Sequence, residues 1–184
     1  MIGDNHVQHI VLLSGGLDSA AALAFVRDSG FPIQPLFVDY GQAARAQERS
    51  AAEAVAAHYE RSLGLITVAH SRSLTSGEVV GRNGFLISAA ACLTGYGRAV
   101  IVTGIHAGTP YYDCSEPFLV SMSRLLEEQS DGAIRLLNPF ASWMKNEVID
   151  YAAKAGVPIS LTYSCERGSV PPCGTCASCR DRQP

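Results

Sequence analysis

The chain has 184 residues, of which 47% are hydrophobic and 17% are charged, and its formal net charge is −3. This composition predicts one folded domain with a buried core and argues against a disordered chain. The acidic balance argues against direct nucleic-acid binding, no apolar run approaches the length of a membrane span, and residues 1–10 lack a signal-peptide pattern, so we expect a cytoplasmic protein.

Short apolar runs alternate with helical patterns along the chain. The runs predict strands over residues 9–13, 35–38, 65–68, 99–103 and 134–137. The other patterns predict helices over residues 18–28, 43–58, 85–94, 116–128 and 145–155, with a loop over residues 71–82. This alternation is typical of an α/β fold in which a five-stranded parallel sheet carries helices on both faces. We expect residues 1–160 to form this unit and residues 161–184 to form a cysteine-rich segment attached to it.

A glycine turn, Ser14-Gly15-Gly16-Leu17-Asp18-Ser19, joins the first predicted strand to the first predicted helix. Glycine lets the backbone approach a ligand closely, and the first N–H groups of a helix attract anions. Ser14 and Ser19 add hydroxyl donors, whereas Asp18 suits a helix cap or a bound magnesium ion. An ordinary turn capped by a serine or the aspartate is the alternative. The full string resembles the PP-loop of ATP pyrophosphatases, which implies that Ser14 to Ser19 bind ATP.

The second predicted strand ends in Asp39-Tyr40-Gly41-Gln42. Ligands of parallel α/β folds gather at the carboxyl ends of strands, so this segment should share a rim with the glycine turn. Similar positions in PP-loop enzymes lie beside the nucleotide, which assigns Asp39, Tyr40 and Gln42 to the ATP site. The alternative is a turn in which Asp39 caps the backbone.

Six cysteines are present, and four of them lie close together near the end of the chain. Cys165, Cys173, Cys176 and Cys179 follow a C-x7-C-x2-C-x2-C spacing. Four thiolates complete a tetrahedral zinc shell and leave no position for a substrate, so we predict a structural zinc site. An iron–sulfur cluster is the chemical alternative.

The two other cysteines lie in the α/β part of the chain. Cys92 is predicted to lie in the core, because it falls inside an apolar helical pattern. Cys114 lies in the loop after the fourth predicted strand. A role for Cys114 as a nucleophile or substrate contact and a role as a small buried residue are equally open.

Several motifs occur in an order that identifies a family. They are the PP-loop, the DYGQ segment at residues 39–42, the GRN segment at 81–83, the YYDC segment at 111–114 and the four-cysteine tail. Together they resemble the 7-cyano-7-deazaguanine synthases, the QueC family of the queuosine pathway, over residues 11–180. The resemblance implies a Rossmann-like, adenine nucleotide alpha hydrolase-like fold with a C-terminal zinc knuckle.

The resemblance also implies an ATP-dependent C–N ligase. In that reaction ATP, with Mg²⁺, adenylates the carboxylate of 7-carboxy-7-deazaguanine, and ammonia attacks to give an amide. A second ATP activates the amide oxygen, whose loss leaves the nitrile, and AMP and pyrophosphate are released. The implied partners are ATP, the deazaguanine acid and ammonia, and family members often form homodimers.

Residues that match the family pattern are assigned to the substrate. Arg82 would neutralise a phosphate or the carboxylate, and Asn83 would bond the base or cap a helix. Tyr111 or Tyr112 would stack on the base, with buried packing as the alternative. Tyr112 is our choice for the substrate site.

The resemblance also assigns catalytic residues. Asp113 and Cys114 match the family's Asp-Cys pair, with Asp113 assigned to the substrate as well. Lys145 matches a family lysine before a helix and would reach a phosphate, with an ordinary surface lysine as the alternative. With Asp18 of the PP-loop they make up the predicted catalytic set. His70 and His106 lie near rim loops, where lone histidines are more often structural.

Three features depart from the family pattern. Ser115 stands where the family usually has Arg, the stretch before residue 81 is short, and the chain ends at Pro184. They raise an alternative in which the activated acyl group passes to a protein amine, as in QueC-like proteins of anti-phage systems, or the reaction stops at the amide. A catalytically idle, zinc-stapled nucleotide-binding protein is a further alternative, against which the intact PP-loop argues.

Overall fold

A five-stranded parallel sheet forms the centre of the computed structural model, which describes residues 7–70, 74, 79–95 and 97–182. Its strands lie in the order β3-β2-β1-β4-β5. They are β1 (Gln8–Leu12), β2 (Ile33–Asp39), β3 (Gly64–Thr67), β4 (Ala99–Val102) and β5 (Ile134–Leu137). All five predicted strands are confirmed, with ends that differ by at most two residues.

The helices are α1 (Leu17–Val26), α2 (Arg45–His58), α3 (Arg82–Cys92), α4 (Glu116–Gln129), α5 (Lys145–Lys154) and α6 (Ala177–Asp181). Two buried clusters show how they pack. Side chains of α1, α2 and α5 fill one face of the sheet, and side chains of α3 and α4 fill the other. The prediction of a parallel sheet with helices on both faces is therefore confirmed.

The sheet order places β1 at the centre, paired in parallel with both β2 and β4. The chain runs outward from β1 to β2 and β3 on one side, then crosses to β4 and β5 on the other. The loops after β1 and β4 therefore part at a topological switch point, where parallel α/β folds bind their ligands. None of the described helices is long and apolar enough to cross a membrane.

Two predictions for the helices need correction. Cys92 is exposed rather than part of the core, because α3 turns Ile87, Ala90 and Ala91 inward and leaves Cys92 on the outer side. Helix α3 also begins at Arg82, before the predicted residue 85, and α6 was not predicted at all. Most of the predicted loop over residues 71–82 lies outside the described residues.

Candidate active site

A cleft of about 360 Å³ opens at the carboxyl edge of the sheet, at the switch point. The loops after β1, β2 and β4, the start of α3 and the C-terminal segment all contribute to its wall. The predicted site residues that line it are Ser14, Gly16, Leu17, Asp18, Ser19, Tyr40, Gln42, Arg82, Asn83, Asp113, Cys114 and Lys145. The fold thus brings most of the predicted ATP, substrate and catalytic residues to one place.

Three predicted residues lie outside the lining of this cleft. The side chain of Tyr112 is 69% exposed and packs edge-on against Phe118. Asp39 accepts the N–H of Gly41 at 2.9 Å, which is the turn-capping arrangement considered as its alternative. Gly15 lies behind the cleft wall, against α2.

The glycine turn owes its shape to close packing against α2. Gly15 has φ +81°, and a Cβ there would collide with the carbonyl oxygen of Glu48 and lie 2.8 Å from the nitrogen of Ala52. Only glycine fits both conditions. Ser19 Oγ donates to the carbonyl of Gly16 at 2.9 Å, which ties the turn to the first turn of α1.

The N-cap of α1 is Gly16, and no side chain within the described part of the chain caps this helix. The serine and aspartate caps considered from the sequence are therefore wrong. The first N–H groups of α1 have no acceptor within the helix, as at every helix start, and their positive end faces the cleft. This arrangement suits a phosphate group.

Asp18 is paired with Lys145, the first residue of α5. The Lys145 ammonium donates to both carboxylate oxygens, with Nζ–Oδ1 2.6 Å and Nζ–Oδ2 2.7 Å. The side chains are 25% exposed for Lys145 and 29% for Asp18, so the pair lies partly within the cleft wall. It holds the predicted catalytic lysine beside the PP-loop, although 127 positions separate the two residues in sequence.

A buried polar chain supports the rim after β2. Gln42 donates through Nε2 to Glu48 Oε2 at 2.9 Å and accepts the N–H of Tyr40 through Oε1 at 3.0 Å. Burial raises the pKa of the Glu48 carboxyl and also raises the pKa of the Tyr40 phenol, while the Arg82 guanidinium opposes both shifts. Arg82 therefore supplies positive charge to this side of the cleft.

Asn83 joins α3 to the segment that carries the Asp-Cys pair. Its backbone N–H donates to Asp113 Oδ2 at 3.0 Å, and its side-chain amide donates to the carbonyl of Asp113 at 2.9 Å and to Cys114 Sγ at 3.4 Å. Asn83 is only 7% exposed. The N-cap of α3 is Gly81, so the alternative of Asn83 as N-cap is wrong.

Ser115, the departure from the family pattern, has a local structural role. It is the N-cap of α4, and its Oγ accepts the N–H of Phe118 at 3.4 Å. A serine is one of the preferred residues for this position.

The four C-terminal cysteines converge. Their sulfur atoms all lie within 4.8 Å of one another. A tetrahedral zinc ion with Zn–S bonds of about 2.3 Å holds its sulfurs about 3.8 Å apart, so the cluster is compatible with zinc. The cluster is largely buried, with Cys165 only 1% exposed.

Hydrogen-bond donors surround two of these sulfurs. Burial raises the pKa of the Cys165 thiol, but donors led by the N–H of Cys173 outweigh it and lower that pKa to about 5. The N–H and hydroxyl of Thr175 lower the pKa of Cys173 to about 7. Burial raises the pKa of Cys179 to about 12. Metal-bound thiolates commonly accept hydrogen bonds of this kind from neighbouring donors.

The cysteine segment also reaches the cleft, which the sequence did not predict. The N–H of Tyr163 donates to the carbonyl of Gly15 at 2.9 Å. Glu166 accepts the N–H of Ser178 at 3.1 Å and its hydroxyl at 2.7 Å, and both residues line the cleft. No spacing in the sequence links these residues to the PP-loop.

Glu48 is another lining residue that sequence reasoning missed, and here a signal existed. The inward face of α2 carries Ala51, Ala52 and Val55, and Ala44 is buried at its N-cap. Glu48 stands on that face at helical spacing. A carboxylate on an apolar helix face is uncommon unless it has a partner. His106 also lines the cleft, as expected from its position near a rim loop.

Comparison with known proteins gives consistent results. The profile of the family described as "Queuosine biosynthesis protein QueC" matches residues 8–80 and 64–184. A 7-cyano-7-deazaguanine synthase of Synechococcus sp. strain CC9902 is 33% identical, covering 94% of this chain and 89% of the relative. The 7-cyano-7-deazaguanine synthase of Persephonella marina is 31% identical to this chain, covering 94% of this chain and 89% of the relative. That of Methanoculleus marisnigri is 32% identical, covering 95% of this chain and 91% of the relative. The chain therefore belongs to the QueC family of queuosine biosynthesis proteins.

Proposed function

We propose that this chain is an ATP-dependent 7-cyano-7-deazaguanine synthase. It adenylates the carboxylate of 7-carboxy-7-deazaguanine, amidates it with ammonia and dehydrates the amide to the nitrile with a second ATP. The observation that carries the proposal is that the PP-loop and the Asn83–Asp113–Cys114 cluster line the same cleft. Its volume of about 360 Å³ lies within the range of small-molecule sites, and family membership names the reaction.

The two ends of the cleft have different chemistry. The PP-loop end offers helix N–H groups and the Lys145 ammonium, which would bind the phosphates of ATP and stabilise the departing pyrophosphate. The other end offers the Arg82 guanidinium and the side-chain oxygen of Asn83, because the NH₂ group of Asn83 already donates to the Asp113 carbonyl and to Cys114 Sγ. These groups would hold the carboxylate and the flat base so that a carboxylate oxygen faces the α-phosphorus.

We infer that ATP binds as its complex with Mg²⁺, as is usual for nucleoside triphosphates. Asp18 is the carboxylate of the PP-loop and would be a ligand of this magnesium ion. Both of its oxygens already accept hydrogen bonds from Lys145, so an ion bound there would share the carboxylate with the lysine. With or without the magnesium ion, the Lys145 ammonium would place positive charge against the triphosphate.

The four cysteines would hold zinc, and the ion would have a structural role. A four-sulfur shell has no open position, so zinc would supply folding energy to the segment rather than chemistry to the cleft. The segment carries Glu166 and Ser178 into the cleft wall. Zinc would therefore affect the reaction indirectly, through the position of the elements that this segment contacts.

Ammonia is the proposed acceptor substrate. The experiment incubates the protein with the deazaguanine acid, ATP, Mg²⁺ and ¹⁵N-ammonium and identifies the products by mass spectrometry. A labelled nitrile, with two AMP formed for each nitrile, is the expected result. AMP formation without the nitrile would indicate a reaction that ends at the amide or needs a protein amine, and an absence of AMP would overturn adenylation itself.

A further inference from the structure

The segment after β4 carries a histidine whose hydrogen bond to the backbone indicates one tautomer of its neutral ring. His106 Nδ1 lies 2.6 Å from the carbonyl oxygen of Ala107. A carbonyl oxygen only accepts hydrogen bonds, so Nδ1 is the nitrogen that carries the hydrogen. In the neutral ring the other nitrogen, Nε2, then keeps a free lone pair.

That Nε2 atom lies on the side of the ring that faces Asp18 of the glycine turn. It lies 3.9 Å from Asp18 Oδ2, and the His106 side chain is 11% exposed within the cleft lining. The charged groups on this side are the Asp18 carboxylate and the Lys145 ammonium that is bonded to it. A neutral Nε2 and a carboxylate oxygen are both acceptors and do not bond to each other, so the lone pair of Nε2 remains available to a ligand that donates a hydrogen.

Most of the carboxylates that line the cleft are already engaged by protein donors. Each of four already accepts hydrogen bonds from protein donors: Asp18 from Lys145, Glu48 from Gln42, Asp113 from Asn83, and Glu166 from Ser178. Asp181, the fifth, is exposed on α6. Among the described residues that line the cleft, His106 is the single imidazole.

Two threonines of the same segment point to a ligand at this place. Thr103 is 3% exposed, and neither its hydroxyl nor the buried hydroxyl of Thr109 has a hydrogen-bond partner among the described residues. Both residues line the cleft. A buried hydroxyl without a partner is uncommon in a folded protein, and a bound polar ligand would satisfy it.

We propose that His106 is the general base that removes protons from the substrate nitrogen, an inference that rests on the proposed function. The ammonia lone pair forms the C–N bond to the acyl adenylate, the C–O bond to phosphate breaks, and its electron pair leaves with AMP. The nitrogen then carries an extra proton, which passes to His106 Nε2. In the conversion of the amide to the nitrile, the amide oxygen attacks the α-phosphorus of a second ATP and pyrophosphate leaves. The C–O bond then breaks, its electron pair leaves with AMP, and the nitrogen releases two more protons, each of which His106 accepts after it has passed the previous proton to water.

The experiment compares His106→Asn with the wild-type enzyme. Asparagine places an N–H donor where Nδ1 stands and so preserves the bond to Ala107, but it has no atom equivalent to Nε2. The exposed His58, at the end of α2, provides the matched control His58→Asn. Single-turnover rates of amide and nitrile formation from ammonia are measured, together with hydroxamate formation when hydroxylamine replaces ammonia.

The expected rates distinguish a role of His106 as the base from a role in the earlier adenylation step. His106→Asn should slow ammonia-dependent product formation by about 10²–10⁴-fold, the usual contribution of a general base. Hydroxylamine is a much weaker base whose adduct loses its proton to water, so hydroxamate formation should stay near the wild-type rate. Added imidazole should restore part of the ammonia reaction, and His58→Asn should behave as wild type.

Several results would overturn the assignment. Ammonia-dependent turnover of His106→Asn close to the wild-type rate would show that another group takes the proton. If hydroxamate formation fell as much as the ammonia reaction, His106 would act before the amine attacks. It would then be a positioning residue for Asp18 and Lys145. A wild-type enzyme that yields neither amide nor nitrile would instead overturn the proposed function, and this inference with it.

Discussion

Gly104 provides a test of how closely the two loops at the switch point must approach. A Cβ on Gly104 would lie 2.5 Å from the carbonyl oxygen of Asp18 and 2.7 Å from its carbonyl carbon. Ordinary contact begins at 3.4 Å, so the end of β4 and the first turn of α1 would have to part by roughly 0.9 Å. Both groups are backbone, which cannot rotate away as a side chain can.

Gly104→Ala should therefore lower the free energy of unfolding by about 1–3 kcal/mol, the usual cost of overpacking. Because the displaced turn carries the N–H groups that face the cleft, ATP should also bind more weakly. Urea denaturation, with its midpoint and slope, measures the first effect, and titration with a fluorescent ATP analogue measures the second.

Gly84→Ala is the matched control, since it makes the same substitution inside α3. A Cβ there would lie 3.7 Å from the ring of Phe118, which is ordinary contact. Alanine is favoured over glycine inside a helix by about 0.5–1 kcal/mol, so this variant should be slightly more stable and bind ATP normally. Equal stability and equal ATP affinity in the two variants would refute the reasoning.

Three further predictions concern charge and metal. Lys145→Met should lower the rate of substrate-dependent pyrophosphate release by about 10²–10³-fold, as loss of a group that stabilises developing charge does, whereas Lys154→Met at the other end of α5 should not. Purified protein should contain one zinc ion per chain by atomic absorption, and Cys176→Ser should lose it and be cleaved by protease within residues 161–182. Glu48→Gln should raise the unfolding free energy at neutral pH in urea titrations, because burial raises the pKa of Glu48 and so disfavours its charged form; this gain should vanish below about pH 4, where Glu48 is protonated in both states.

Local patterns were sufficient to predict the sheet. Each strand is a short apolar run next to a turn residue, so the segments could be found from neighbouring residues alone. The glycine turn and the cysteine spacing are also local, and the structure brings their residues together as predicted. Cys92 shows the limit of this approach, because an apolar pattern does not show which side of a helix faces the sheet when small residues occupy most positions.

Contacts between distant segments could not be predicted in this way. Lys145 meets Asp18 only because α5 packs beside α1, and Asn83 meets Cys114 only because α3 and α4 share a face of the sheet. The side-chain atoms that meet are set by helix rotation and loop path, which no single segment encodes. The resemblance to a family supplied these residues, and the structure supplies their partners.

The position of the cysteine segment has a consequence for the PP-loop. Gly15 lies between α2, which excludes any side chain there, and Tyr163, whose N–H donates to the Gly15 carbonyl. Farther along, Gly168 has φ +67°, and a Cβ on it would lie 2.8 Å from the carbonyl oxygen of Ala43 just before α2. The segment is therefore fixed against both neighbours of the loop, and free energy that a bound zinc ion contributed to folding the segment would also stabilise the backbone conformation of the PP-loop. A structural metal outside the cleft would in this way maintain the geometry of the ATP site without contacting the nucleotide.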